Sequence, residues 1–93
     1  MRIIGHIEHP SLKITVFKND GRSSVKFETS LYEQTFKLGD DERFATLEGV
    51  TKFIDQELIE AIQDGFRRMH SARLEAMGRV FPVQSGEIFE AII

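Results

Sequence analysis

The chain has 93 residues but contains no cysteine, no tryptophan and only two prolines. The absence of cysteine excludes disulfide bridges, thiolate metal sites and cysteine nucleophiles. No apolar run reaches the roughly 20 residues needed to span a bilayer, so we expect no membrane partner. His6 and Glu8 interrupt the first apolar run, which is unlike the core of a secretory signal, and we therefore expect a cytoplasmic protein.

A strong bias of charge is also lacking. The formal net charge of -3 argues against a general attraction to nucleic acids or anionic lipids. The contents of 41% hydrophobic and 29% charged residues are typical of globular proteins. The length leaves room for one core, and we predict a single α+β domain over residues 1–81 with an apolar C-terminal tail over residues 82–93.

Residues 2–38 alternate between apolar and polar side chains, as strands with one buried face do. Turn residues divide this region into four candidate strands, 2–8, 12–18, 23–29 and 31–38. Their short connections favour an antiparallel meander sheet. A turn at His9-Pro10 would put Ile3 and Ile7 on the same buried face as the apolar residues of the second strand, and Ile4 on the exposed face.

The clearest turn signal is Asp20-Gly21, which suits the type I′ turn of a two-residue hairpin. This turn sets the register between the second and third strands, because the pairing continues outward from it. It predicts the cross-strand pairs Val16 with Val25, Ile14 with Phe27, and Lys13 with Glu28.

After the strands, apolar and small residues recur at intervals of three and four, which predicts one long amphipathic helix over about 46–77. Thr46 is the expected N-cap, and Gly78 is the expected stop. The helix would be about 46 Å long, against about 24 Å for a seven-residue strand. We therefore expect its second half to project beyond the sheet, and the alternative is a break at Gly65. The predicted stripe is Leu47, Val50, Ile54, Leu58, Ala61, Gly65, Met69, Ala72 and Ala76, widened in its first part by Phe53, Ile62 and Phe66.

The hydrophobic core is expected where the buried faces of the sheet and the helix meet. The predicted members are Ile3, Ile7, Leu12, Ile14, Val16, Val25, Phe27, Phe36, Leu47, Val50, Ile54, Leu58 and Ile62.

Charge is segregated along the helix, since residues 40–64 carry a net charge of -6 and residues 65–79 a net charge of +3. One interpretation is simple complementarity with the helix dipole. The other is an antiparallel pairing of two such helices in a homodimer. A projecting apolar stripe favours the dimer, and the apolar tail is expected to dock either on this domain or on a partner copy. Its predicted interface is Gly65, Met69, Ala72, Ala76, Phe89 and Ile92.

No residue pattern predicts catalysis or a cofactor. His6, Glu8 and His9 are close in sequence, but only two of them share a face of a strand, which does not make a metal site. The glycines occur singly, so there is no phosphate-binding loop. We expect a non-enzymatic protein with no metal and no cofactor.

The exposed sheet face supports an alternative function. It is predicted to carry Phe17 among lysines, an arrangement in which an aromatic ring stacks on bases and cations contact phosphates. The hypothesis is a weak single-stranded DNA or RNA binder that uses Lys13, Phe17, Lys26 and Lys37, with Arg67, Arg68 and Arg73 as further candidates. The favoured hypothesis remains a protein-interaction or assembly module.

Overall fold

The computed structural model describes residues 1–81 and shows one antiparallel sheet in the order β1-β2-β3-β4, followed by helices. This confirms the predicted α+β architecture with a long C-terminal helix. The tail over 82–93, with Phe89 and Ile92, lies outside the described residues. The strands are β1 (Arg2–Ile7), β2 (Lys13–Asn19), β3 (Arg22–Glu28) and β4 (Glu33–Gly39). A 3₁₀ turn (Glu42–Phe44) leads to α1 (Leu47–Phe53) and α2 (Gln56–Val80).

The β2–β3 hairpin forms as predicted. Asp20 and Gly21 have φ angles of 52° and 76°, the positive values that a type I′ turn requires at both central positions. All three predicted cross-strand pairs are present: Val16 with Val25, Ile14 with Phe27, and Lys13 with Glu28.

A β-bulge in β1 reverses the predicted placement of Ile3 and Ile4. The register shifts between Ile3, which pairs with Phe17, and Gly5, which pairs with Val16. The extra residue reverses the alternation of faces. Ile3 is therefore 55% exposed, and Ile4 packs against the core instead of facing outward. The prediction of Ile3 as a core residue is wrong, because strict alternation does not anticipate a bulge.

The predicted single helix is two helices. The chain leaves helical geometry at Ile54, and Asp55 begins α2 as an N-cap whose side chain accepts a hydrogen bond of 2.8 Å from the Leu58 amide. Thr46 caps α1 as predicted, accepting from the Gly49 amide at 3.1 Å. Gly65 does not break α2. The predicted stop at Gly78 is also wrong, since α2 continues to Val80.

This break rotates the buried stripe of α2. The buried residues are Ile59, Ile62 and Phe66, which lie one position after the predicted Leu58, Ala61 and Gly65. One residue corresponds to about 100° of rotation around the helix axis. The predicted stripe extended the phase of α1 through Asp55, and a cap at that residue allows α2 to begin in a different phase.

The core lies between one face of the sheet and the two helices. Seven of the predicted members are buried, five are half-buried, and Ile59 and Phe66 are additional members. Edge-to-face contacts between aromatic rings connect β3 and β4 to α1. The ring centroids of Phe27 and Phe36 lie 5.9 Å apart, those of Phe36 and Phe53 6.3 Å, and those of Phe44 and Phe53 5.4 Å. The buried core is Leu12, Ile14, Val16, Val25, Phe27, Val50, Ile59, Ile62 and Phe66.

Two polar contacts fix α2 against the β4 side of the sheet. The Gln34 side-chain amide donates to the Ile62 carbonyl at 2.8 Å. The Tyr32 hydroxyl lies 2.9 Å from His70 Nδ1, and the Arg73 guanidinium lies 6.0 Å from the Tyr32 ring centroid. The 25 residues of α2 span about 37 Å, and the longest dimension of the structure is 54 Å. These lengths agree with the predicted projection.

Gly65 allows the close approach of Gln34. A Cβ atom at position 65 would lie 3.0 Å from Gln34 Nε2 and 3.2 Å from Gln34 Oε1. We predict that Gly65→Ala stabilises the protein by about 1 kcal/mol in a Gln34→Ala background, because alanine favours helix over glycine. In the native background we expect a smaller gain, since the methyl group displaces Gln34 from the Ile62 carbonyl.

Urea unfolding of the native protein, the Gly65→Ala and Gln34→Ala variants and the double variant measures the energetic coupling between positions 34 and 65. An equal gain in both backgrounds would contradict the proposed contact.

The 3₁₀ turn contains an ion pair that perturbs one carboxyl group. Hydrogen bonds from the Arg43 side chain, and then from its backbone amide, lower the pKa of Asp41 from 3.8 to about 2. Because the folded-state pKa is lowered, the associated stabilisation is present above pH 3.8 and is lost as the pH falls toward about 2.

We predict that Arg43→Gln raises the pKa of Asp41 but leaves it below 3.8, because the backbone amide of residue 43 still donates to Asp41 Oδ1 at 2.9 Å. Carboxyl ¹³C shifts followed by NMR through an acid titration measure this change. Arg22→Gln, which alters a distant cation, should leave the titration of Asp41 unchanged. A native pKa of 3.8 would contradict the ion pair.

Candidate interaction surfaces

The outer sheet face is the side of the sheet away from the helices. The strand register places its side chains in three rows that run across the strands, and the rows differ in polarity and charge. The rows are Ile3-Phe17-Ser24-Lys37, His6-Thr15-Lys26-Thr35 and Lys13-Glu28-Glu33. The first row is apolar and basic, and the third is mainly acidic.

Lys26, at the centre of this face, is already engaged. Its Nζ lies 3.5 Å from Glu28 Oε1 and 3.9 Å from Glu33 Oε2. The same nitrogen lies 5.3 Å from the Phe17 ring centroid, within cation–π range. The middle row is also closely packed, since Thr15 is only 2% exposed. Base stacking on Phe17 would therefore have to compete with Lys26 for the ring.

The seven predicted nucleic-acid residues do not form one surface. Lys13, Phe17, Lys26 and Lys37 share the outer sheet face, whereas Arg67, Arg68 and Arg73 lie on α2, on the other side of the sheet. Within residues 1–81, Lys37 has no carboxylate oxygen within 4.0 Å. Arg22, which the prediction omitted, shares that property, and it lines a cavity with Lys37 at the β2–β3 turn end.

Two of the arginines of α2 share one carboxylate partner. Arg68 and Arg67 donate to the two oxygens of Asp64 at 2.8 Å and 3.3 Å. The hydrogen bond from Arg68, followed by that from Arg67, lowers the pKa of Asp64. All three side chains are more than half exposed, so these pairs add little stability. They keep charges of both signs on the solvent side of the helix.

The second surface is the α2 flank, which is the α2 part of the predicted apolar stripe in its observed position and includes the predicted interface residues Gly65, Met69, Ala72 and Ala76. Because the core stripe is rotated, the flank lies beside the core and not on it. Gly65 faces Gln34, which places the flank above the edge strand β4. Ala61, Met69 and Ala72 are exposed, and the other members are half-buried. The α2 flank consists of Leu58, Ala61, Gly65, Met69, Ala72 and Ala76.

Apolar exposure continues to the end of α2. Val80 is 69% exposed and Phe81 is 54% exposed. At the start of the helix, a cavity of about 460 Å³ is lined by Phe53, Asp55, Glu57, Leu58 and Ala61. The two ends of the flank thus differ, since one presents apolar side chains and the other a partly acidic cavity. The sequence pattern indicated the flank residues, but it did not indicate this cavity.

The histidines are separated from one another. His6 Nδ1 lies 3.4 Å from the Thr15 hydroxyl, His9 Nδ1 accepts from the Ser11 amide at 3.2 Å, and His70 contacts Tyr32. In the part of the chain that the structure describes, no three histidine or carboxylate side chains are placed to hold a metal ion. No helix within residues 1–81 combines the length and the apolarity of a membrane span.

Comparisons with known proteins add no assignment. No family model matches the sequence, and searches of the curated proteins and of the solved structures give no match.

Proposed function

We propose that this chain is a non-enzymatic protein-interaction or assembly module that forms a homodimer through the α2 flank and the C-terminal tail. The observation that carries the proposal is the exposure of apolar side chains along α2 and at its end, at Met69, Ala72, Val80 and Phe81. Such surfaces on small proteins commonly mark interaction sites. We propose a cytoplasmic location, because a chain without cysteines lacks the disulfide bridges that are typical of small secreted domains.

The length of α2 supports the same proposal. A helix of about 37 Å exceeds the height of a seven-residue strand by about 13 Å. A domain of this size has a small core, and a second copy would bury further apolar area. The C-terminal tail also favours association, since five of its last seven residues are apolar. We include Phe89 and Ile92 among the proposed contacts.

Sedimentation equilibrium between about 1 and 100 µM tests the homodimer, a range that brackets typical micromolar association. We predict that Met69→Glu raises the dimer dissociation constant at least tenfold, because it places a charge in a desolvated contact. Deletion of residues 82–93 should also weaken the dimer. Ser71→Glu adds the same charge on an exposed position outside the flank and serves as the control.

A monomeric mass across that range, unchanged by the deletion, would contradict the proposed homodimer. Equal weakening by Met69→Glu and Ser71→Glu would contradict the flank as its interface.

A second candidate function is weak binding of single-stranded nucleic acid on the outer sheet face. The row Ile3-Phe17-Ser24-Lys37 supports it, because this row combines apolar side chains with a cation that has no carboxylate within 4.0 Å among residues 1–81. The ion pairs of Lys26 count against that residue as a phosphate contact. Among residues 1–81, Lys13 likewise has no carboxylate oxygen within 4.0 Å, but it lies in the acidic row, so Lys37 is the best candidate of the predicted lysines.

Anisotropy titrations of labelled single-stranded DNA and RNA at two salt concentrations test this candidate. If it holds, we predict a salt-dependent binding constant that Lys37→Gln and Phe17→Ala weaken severalfold, with the salt slope reduced by about 1 for the lysine variant. Lys26→Gln should have a smaller effect. Lys52→Gln on α1 is the control, and equal loss in all the lysine variants would indicate non-specific attraction. Absence of binding at low salt would exclude this function.

A further inference from the structure

We propose that the second copy packs antiparallel along the α2 flank and inserts its Phe81 into the cavity at the start of α2. This inference rests on the proposed homodimer and assigns its axis and register. The occupant of the cavity is thus a segment of a second copy of this chain. Three features support the arrangement: the symmetry of the flank, the order of charges beside it, and the position of the cavity.

The flank residues are spaced almost symmetrically about position 67. Leu58 and Ala76 lie nine residues to either side of it, and Gly65 and Met69 lie two residues to either side. Ala61 and Ala72 lie six and five residues away. In an antiparallel pair each position contacts its mirror position, as a two-fold axis requires. An axis at residue 67 therefore matches every flank residue with another flank residue.

Small residues near the axis permit close packing. At 100° per residue, the six flank residues occupy an arc of about 80° on the α2 surface. Met69 of the second copy would lie opposite Gly65 and pack against the Gln34 side chain, which occupies the space beside this glycine. Leu58 of each copy would contact Ala76 of the opposite helix, its mirror position.

The charges beside the flank favour the antiparallel arrangement. Residues 55–64 carry four carboxylates and no cation, whereas residues 67–79 carry four arginines and one glutamate. A parallel pair would place like charges side by side, which costs several kcal/mol of association free energy. With the axis at residue 67, Glu57 comes close to Arg79 of the second copy, and Asp64 comes close to its Arg68. Glu75 is the one unfavourable group in that row.

The same axis brings the free end of one helix to the cavity of the other. Arg79 mirrors Asp55, the N-cap of α2, so Phe81, two residues further on, would reach the start of α2, where Phe53, Leu58 and Ala61 line the cavity of about 460 Å³. Phe81 is 54% exposed in the single chain. Its insertion would bury an aromatic ring against apolar side chains. Arg79 would then lie beside Asp55 and Glu57, the two carboxylates of the cavity.

Spin labels on single-cysteine variants test the direction of the pair, because the native chain has no cysteine to interfere. Gln56→Cys and Ser71→Cys place labels at exposed positions outside the flank. The antiparallel axis predicts separations along the helix of about 33 Å and about 12 Å, since each residue from the axis contributes twice 1.5 Å. We expect the measured distance to be longer at position 56 by roughly 15–20 Å. Equal distances within a dimer would overturn the arrangement.

A charge exchange tests the register. We predict that Glu57→Arg and Arg79→Glu each raise the dimer dissociation constant roughly three- to tenfold and that the double variant restores it. Phe81→Ala should weaken the dimer by at least roughly tenfold, as loss of a buried aromatic anchor does. Glu60→Arg makes the same charge change on an exposed position outside the flank and should have a smaller effect.

These measurements separate the two proposals. A monomer at all concentrations overturns both the homodimer and its arrangement. A stable dimer with no rescue in the double variant overturns only the register proposed here and leaves the homodimer in place.

Discussion

The N-terminal cap of α2 is the contact on which the arrangement of this protein depends. Asp55 accepts a hydrogen bond from the Leu58 amide and begins a new helix directly after α1. This start sets the rotation of α2, which turns Ile59, Ile62 and Phe66 toward the sheet. It consequently leaves Met69 and Ala72 at the side. If the chain had stayed helical through residue 55 in the phase of α1, the flank would have faced the sheet, and Ile59, Ile62 and Phe66 would have been turned to the side.

The two faces of the sheet differ in how completely their side chains are already paired. The inner face is packed against the helices by apolar residues of β2 and β3 and by aromatic contacts that reach α1. On the outer face, Lys26 contacts two glutamates and the ring of Phe17. Because Lys26 already has these partners, a contact with a phosphate group would contribute less binding free energy than it would for an unpaired lysine. This pairing is why the α2 flank, and not the outer sheet face, is our preferred interaction surface.

Polar contacts beside the flank connect the proposed interface to the fold. Gln34 in the edge strand β4 donates to a carbonyl in the middle of α2, and Gly65 leaves the space for it. Further along, Tyr32 contacts His70 and Arg73, so the helix is attached to the sheet for much of its length. The exposed end beyond Arg73 can then be presented in a defined direction. A partner helix would meet a surface that is already ordered.

The local sequence determined the elements of this fold. Alternating side chains predicted the strands, Asp20-Gly21 predicted the register of β2 with β3, and Thr46 predicted the start of α1, because these signals act over only a few residues. Tertiary structure decided the rest. The bulge at Ile4 turns Ile3 outward, where strict alternation predicts that it is buried.

The rotation of α2 about its axis has the largest consequences among the features that only the tertiary structure determines. Spacings of three and four allowed two stripes on this helix, and the sequence pattern alone favoured the one that continued from α1. Packing selected the other, because Ile59, Ile62 and Phe66 bury larger side chains against the sheet than Ala61, Gly65 and Met69 would. The α2 part of the stripe predicted from sequence is consequently the α2 flank beside the core, since the larger apolar side chains of α2 occupy the core.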